Sequence, residues 1–538
     1  MAASYGAPGV YIEELPSGSM PVEGVGTAVA AFVGFTEKYD RHEGDPTDPD
    51  GVKPQLVTSW PQYERIYGGF VAGAMLPHAV RGFFENGGGT CYIVRIPSGD
   101  GGPSDGRASG TLPSANRPDL ESISVSALNA GRRLEIEVVP PAPPAEGQEP
   151  PADGGDYTLR VYEDGALREE LGGLQFSART PRTLEKTVNE RSKFVRIDVH
   201  PVQGAALAER APAAGRYTLS VPPPQTNAVT PADFAGSASD RTGYQGLAIA
   251  ENVTMVAVPD LVTIATREDG SLDEEMYLAV QKQLVDWAEQ TRTAMAILDT
   301  PPGLNAQRAL EWRSRLARDS AFGALYYPNV VVTNPLSRPG SGNGDQYLTI
   351  PPVGHVAGVW ARTDAARGVW KAPANEAVRG IVRLENEVTD GEQGLLNPEG
   401  VNCIRSFGSY GTKIWGARTL AKTDPSWRYI NVRRLFNFVE ESVRRGTQWA
   451  VFEPNDRDLW ERVKRTLNSF LRGLWMQGAL VGTTAEQAFF VVCDESNNPS
   501  SSIDEGKLIV EVGIAPVKPA EFIIFRVSQW QGGGATSE

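Results

Sequence analysis

The sequence predicts a multidomain chain that combines α/β and α+β architecture. Three observations carry this reading. Strand and helix patterns alternate over residues 253–333, a β-patterned block bounded by linkers fills residues 110–230, and from Tyr429 onward two amphipathic helices precede strands. A length of 538 residues is a prior of three or four domains at roughly 150 residues each. With 41% apolar and 22% charged residues, the composition is that of an ordinary globular protein.

Residues 4–26 contain Pro8, Pro16, Pro21 and five glycines, which excludes a helix. Within them Gly9–Leu15 reads as one short strand with no hairpin partner. Its backbone groups need the edge of another sheet, in this chain or in a neighbour. The first compact segment begins with the buried strand Thr27–Phe35. It continues through Val57–Trp60, a helical stretch near Met75–Phe84 and the strand Cys91–Ile96. Ser98–Asn116 is a Gly/Ser/Pro-rich linker. Beyond it, Ile123–Ser126, Arg133–Val138, Tyr157–Tyr162 and Phe194–Val199 read as strands, interrupted by the Pro140–Gly155 loop and closed by Val221–Pro224.

From Asn252 the period changes. Val253–Val258 is a buried strand ending at Pro259-Asp260. Ser271–Glu274 reads as a capping box, opening a helix with Met276, Val280, Leu284 and Trp287/Ala288 on one face. The strand Ala294–Leu298, the helix Asn305–Arg318 and one strand over Ala324–Thr333 follow, so a parallel sheet covered on both faces is expected. A loop follows at Pro335–Asp345. The last part predicts helices at Arg433–Arg445 and Asp456–Met476, then strands at Ala488–Cys493, Leu508–Ile514 and Glu521–Val527. No internal repeat is present.

Several function classes are disfavoured. No apolar run approaches the ~18 residues needed to span a bilayer, and the N-terminus lacks the pattern of a signal peptide. Cys91, Cys403 and Cys493 are far apart and odd in number, which argues against a disulfide framework and fits a reducing cytoplasm. With four histidines and no paired Cys or His spacing, a dedicated zinc site is not expected. A net charge of −15 disfavours nucleic-acid binding. Residues 401–480 nevertheless hold 14 Lys+Arg against 7 Asp+Glu, a basic stretch suited to docking an acidic partner or simply a solvated, internally paired surface.

Candidate chemistry is sparse. Asp260 and Asp299 fall at the carboxyl ends of parallel strands, where a carboxylate pair could do acid–base or metal work. Each also suits a turn that ends its strand, and no nucleophile, base or phosphate cradle accompanies them. Asn86–Thr90 lacks the Lys-Ser/Thr of a phosphate loop and precedes a strand, so it reads as a tight turn. His355, among small apolar residues, reads as a core or interface group. The aromatic and basic residues of Tyr410–Arg434 could stack on single-stranded nucleic acid, which the chain's acidity opposes.

Several runs resemble the contractile tail sheath proteins. Pro8–Glu14, Val25–Gly34, Phe83–Gly88 and Cys91–Arg95 match near the N-terminus. His355–Asp364 and Gly368–Asn375 resemble the family's central signature. Leu396–Pro398, Asn402, Trp415–Leu420, Tyr429–Arg434, Phe452–Asn455 and Ala515–Phe522 extend the match. Residues 110–230 carry no family motif, and Phe407–Gly411 departs from a Pro-Gly-Arg-Gly type of loop.

This resemblance implies a structural, non-enzymatic subunit that needs no cofactor and assembles with itself as stacked hexameric rings around an inner tube protein. Baseplate and tail terminator or cap proteins would be further partners, with no nucleic acid and no membrane insertion. Assembly would be cytoplasmic, in a phage tail or phage-tail-like injection particle. It implies a domain plan of an extended arm at 1–26, the N-terminal part of the core at 27–109 and an outer β-rich insert at 110–230. A subtilisin-like three-layer central domain without a catalytic triad would follow at 240–400, then an α+β C-terminal domain facing the tube at 401–529 and a flexible tail at 530–538. Extended arms would exchange strands between subunits through Val10, Tyr11, Ile12 and Glu13 and through Phe522, Ile523, Ile524 and Phe525. On a helical wheel, Leu459, Trp460, Val463, Leu467, Phe470, Leu471 and Leu474 share one face of the helix from Asp456. Its other face carries Lys464, Arg465 and Arg472, which the resemblance would turn toward the tube. The alternative reading is a cytoplasmic hydrolase using Asp260 and Asp299.

Overall fold

The computed structural model describes residues 22–526 apart from 41–42, 46, 49–50, 97–106, 116–119, 130–133, 142–155, 164, 176–182, 201–210, 225–228, 268 and 338–345. Val10–Glu13, most of the Pro140–Gly155 loop and residues 530–538 lie outside the described residues. The chain divides into two compact units. The larger holds Thr27–Ala366 and Pro373–Arg428, and the smaller holds residues up to Gly26, Arg367–Ala372 and everything from Tyr429.

A nine-stranded sheet organises the larger unit. Six strands are mutually parallel, in the spatial order Val401–Ser406, Gly323–Tyr327, Met295–Asp299, Met255–Ala257, Val29–Gly34, Thr90–Arg95. Antiparallel strands close the two edges: Gln55–Val57 beside Thr90–Arg95, and Thr412–Ile414 followed by Glu376–Ala377 at the other end. The inner strands are apolar without alternation because both faces are covered: Ala31, Val33, Val256 and Leu298 point one way, Ala30, Phe32, Met255 and Ile297 the other, all at most 2% exposed. Segments far apart in sequence thus build one core, as the register Ala30↔Met255 and Leu325↔Val401 records.

Several expectations change, and Ser109–Pro113, read as part of the Ser98–Asn116 linker, is a strand paired with Glu121–Ala127. The strand read as Ala324–Thr333 is two strands, Gly323–Tyr327 and Val330–Thr333, in different sheets. Pro328 lies at the break and has no N–H for a ladder. The second half pairs with Tyr347–Ile350 and Arg383–Leu384. The capping box at Ser271 is displaced: Asp273 caps the Glu274–Thr291 helix by accepting from the Met276 amide at 3.0 Å, while the Ser271 amide is taken by Asp269. The boundary expected at 401 falls at Tyr429, because Val401–Ser406 and Thr412–Ile414 belong to the large sheet. Finally, Glu521–Arg526 form no strand, and Leu508–Ile514 shortens to Glu511–Ile514.

Within residues 110–230, strands pair in two antiparallel sheets, one of Gly215–Thr218, Leu134–Val139, Asp156–Glu163 and Ala166–Gln175, the other of Ser109–Pro113, Glu121–Ala127 and Val195–Val199. Leu112, Ile123, Ile136, Val161 and Ile197 form its own core. The helix Thr183–Arg191 was not legible, since Leu184 and Val188 are the apolar positions it buries.

In the smaller unit, the helices Ile430–Gly446 and Arg457–Met476 pack with a hairpin of Phe489–Val492 and Glu511–Ile514. Leu435, Leu471, Leu474 and Phe489 fill one cluster, and Leu459, Trp460, Val463, Leu467 and Val22 another. The wheel anticipates this buried face, with Thr466 added and Phe470 only half-buried.

Candidate functional site

The carboxylates at the strand ends are sealed into the fold. Asp260 is fully buried and accepts from the Phe35 amide at 2.7 Å, from the Leu76 amide at 3.2 Å and from the Met75 amide. It therefore ties the end of one strand to the N-terminus of the Leu76–Glu85 helix, where a carboxylate is favoured. Asp299, 3% exposed, accepts from the Tyr277 hydroxyl at 2.5 Å. Burial pushes both carboxyls up to about 7, against these donors. Each spends its oxygens on its own neighbours, so the geometry lends no support to a hydrolase built on the pair. Among the described residues no group of three or more His, Cys, Asp or Glu is arranged to hold a metal ion.

The other motifs resolve as structure. Asn86–Gly89 turns the chain from the Leu76–Glu85 helix into Thr90–Arg95, with Gly87 at φ +99°. His355 lies on the buried helix Val353–Arg367, its ring pressed where a β-carbon on Gly82 would stand 2.5 Å away. Its Nδ1 has no hydrogen-bond partner among the described residues, and burial pulls the ring down to about 4. In Tyr410–Arg434, Tyr410 is exposed, but Lys413, Arg418, Lys422 and Arg433 donate to Asn375, Asn397, Glu399 and Glu440 respectively. Arg433 and Arg434 are at most 5% exposed. The basic stretch is thus partly internal pairing, not a stacking platform.

The surface that remains belongs to the smaller unit. Asn431 donates to the carbonyls of Trp370 at 2.8 Å and Val517 at 3.1 Å, and the Tyr429 hydroxyl donates to Glu521 at 3.1 Å. These bonds fix the chain up to Glu521. Immediately beyond, Phe522, Ile523, Ile524 and Phe525 are 73–86% exposed. Four consecutive apolar residues in water, next to a hydrogen-bonded base, form an exposed apolar patch of the kind found at interaction sites. Among the described residues the antiparallel pair of Phe489–Val492 and Glu511–Ile514 has no third strand, and Phe490 is half exposed. On the Arg457–Met476 helix Arg465 and Arg472 are exposed, whereas Lys464 is half-buried and bonded to Glu461 at 2.6 Å. The structure thus keeps Arg465 and Arg472 on one side and turns Lys464 to the flank. Sequence reasoning named Phe452 only within a family run and did not anticipate that it is fully exposed in the turn before this helix, nor that Arg367–Ala372, which overlaps the signature run Gly368–Asn375, packs in the smaller unit.

Comparison with known proteins agrees across the chain. Residues 247–420 match the phage tail sheath protein central domain and residues 422–529 the phage tail sheath C-terminal domain, together just over half of the chain. The tail sheath protein of Burkholderia phage BcepMu is 24% identical, covering 98% of this chain and 97% of that protein. The tail sheath protein of Vibrio phage KVP40 is 26% identical over 46% of this chain, which spans only 39% of that longer relative. The contracted helical sheath of the anti-feeding prophage superposes with a TM-score of 0.56 at 26% identity, covering 98% of this chain and 100% of that one.

Proposed function

The chain belongs to the phage tail sheath protein family, and from that premise we propose that it polymerises as stacked hexameric rings around an inner tube and contracts to drive the tube through an envelope. In this reading it is a mechanical, non-enzymatic subunit of a phage tail or phage-tail-like particle, assembled in the cytoplasm, with the tube, baseplate and terminator proteins as partners. The central domain would be subtilisin-like in topology only, its strand-end carboxylates serving to close the fold.

The observation that carries the proposal is the exposed run Phe522–Phe525, in a unit whose two-stranded sheet has no third strand among the described residues. An extended segment added to the edge of such a sheet gains backbone hydrogen bonds and buries alternate side chains. Val10–Glu13 of a neighbouring copy would supply the other strand. Contraction then moves subunits as rigid bodies while the arms stay paired. Arg465 and Arg472, with Lys464 as a lesser contributor, are proposed to face the tube. Each exposed pair contributes about 0–1 kcal/mol, so many weak contacts would hold the extended state and release together. Arg472→Glu should then give sheaths that are empty of tube.

Truncation tests the arms. Removing residues 1–20, or 522–538, deletes none of the core side chains named above, so either variant should keep the far-UV spectrum and melting behaviour of the full chain. Neither should form sheaths. Full-length sheaths from either truncation would contradict the donated-strand reading.

A further inference from the structure

Two features of the smaller unit are left over, and they lie along the length of one helix. The first is the turn that enters the Arg457–Met476 helix. Val451 is 62% exposed and Phe452 is fully exposed, with Phe452 held at φ +66°, a backbone region that strains a bulky side chain. The second is a groove of about 480 Å³ lined by the rings of Trp370, Phe438 and Phe470, by Arg465 and Gln477, and also by Val22 and Gly24. Phe452 cannot fill the groove of its own chain. The groove spans Arg465 to Gln477, and its middle lies about 20 Å along the helix axis at 1.5 Å per residue.

The charges match across the two features. Glu453 follows the exposed phenylalanine and, among the described residues, its carboxylate pairs with Arg462 at 3.4 Å in the open, a contact that exchanges readily. Arg465 stands at the groove with its side chain exposed. We propose that Phe452 of one copy seats in the Trp370/Phe438/Phe470 groove of a second copy of this chain, with Glu453 reaching Arg465 in its lining. The proposal rests on the sheath reading and names one of its subunit contacts. Because knob and groove are different patches of one unit, the contact is head-to-tail, and repeated it builds rings or helical arrays. It narrows the tube-facing set proposed above, moving Arg465 to the contact between copies and leaving Arg472, about 10 Å further along the helix, to the tube.

The test uses the full-length chain. Phe452→Gly removes the side chain and relieves the positive φ, so the subunit should melt no lower than wild type while the yield of sheaths falls at least about tenfold. Glu453→Arg and Arg465→Glu should each reduce assembly, and the double variant should restore it. A role for Arg465 toward the tube alone gives no such rescue. The double variant Val451→Cys/Ser469→Cys keeps Phe452, and the three native cysteines are buried, so oxidation of its assembled sheaths should give a ladder of covalent multimers. Wild-type yield from Phe452→Gly, or assembled sheaths without a ladder, would overturn the contact while leaving the sheath reading intact. A wild-type chain that never assembles would overturn both.

Discussion

At Gly34 a β-carbon would stand 2.0 Å from Oδ2 of Asp260, so the strand can meet that buried carboxylate only because the residue is glycine. Gly34→Ala should destabilise the larger unit by about 1–3 kcal/mol through overpacking, read as a lower midpoint in urea unfolding. A second residue-scale expectation concerns pH. His78 and His355 are buried, and burial pulls each down to about 4 from 6.5, with His355 a further influence on His78. A lowered folded pKa means that their contribution is complete above pH 6.5 and is lost as pH falls through 4. Asp260 and Asp299, raised from 3.8 to about 7, act with opposite sign: their contribution is complete below 3.8 and lost as pH rises through 7. The histidine part is isolated by difference. A His78→Gln/His355→Gln variant should be less stable than wild type at pH 7.5, and the gap in melting temperature should narrow as pH drops from 6.5 to 4.5. A gap that stays constant would show that the two rings do not titrate with folding.

Among the elements, the Arg457–Met476 helix gives the cleanest contrast. Leu467, 1% exposed, packs in the cluster with Val463 and Trp460, so Leu467→Ala should cost about 2–5 kcal/mol. Met476, 77% exposed, should change stability by no more than about 0.5 kcal/mol on replacement by Ala. Guanidinium unfolding of the two variants checks both. This helix was legible because its apolar residues recur at the helical period. The parallel strands were legible as short apolar runs. Elements governed by single hydrogen bonds were not: the helix start moved to Asp273 because Asp269 had already taken the Ser271 amide, and the strand after Ala324 broke at Pro328. Phe522–Phe525 reads as a strand on propensity alone, but a strand needs a partner, and among the described residues the single chain supplies none. The groove beside Phe470 was illegible for a different reason, since Trp370 reaches it from a segment some 100 residues away in sequence.

For the whole molecule, the account is that an acidic chain with sealed carboxylates and an exposed apolar arm is built to be completed by copies of itself. The family was legible in ordered motifs spread from one end of the chain to the other, and the structure gives several of them physical work. Asn431 roots the C-terminal run, and Arg433 is buried among hydrogen bonds on its own helix. Assembly itself was legible only through that resemblance, because a single chain shows an exposed apolar run but not what covers it. Electron microscopy of the purified full-length chain, expressed with its tube protein, tests the central claim most directly. The account predicts long cylinders with a ringed wall around a tube, in extended or contracted form. Monodisperse monomers at every concentration and ionic condition would contradict it.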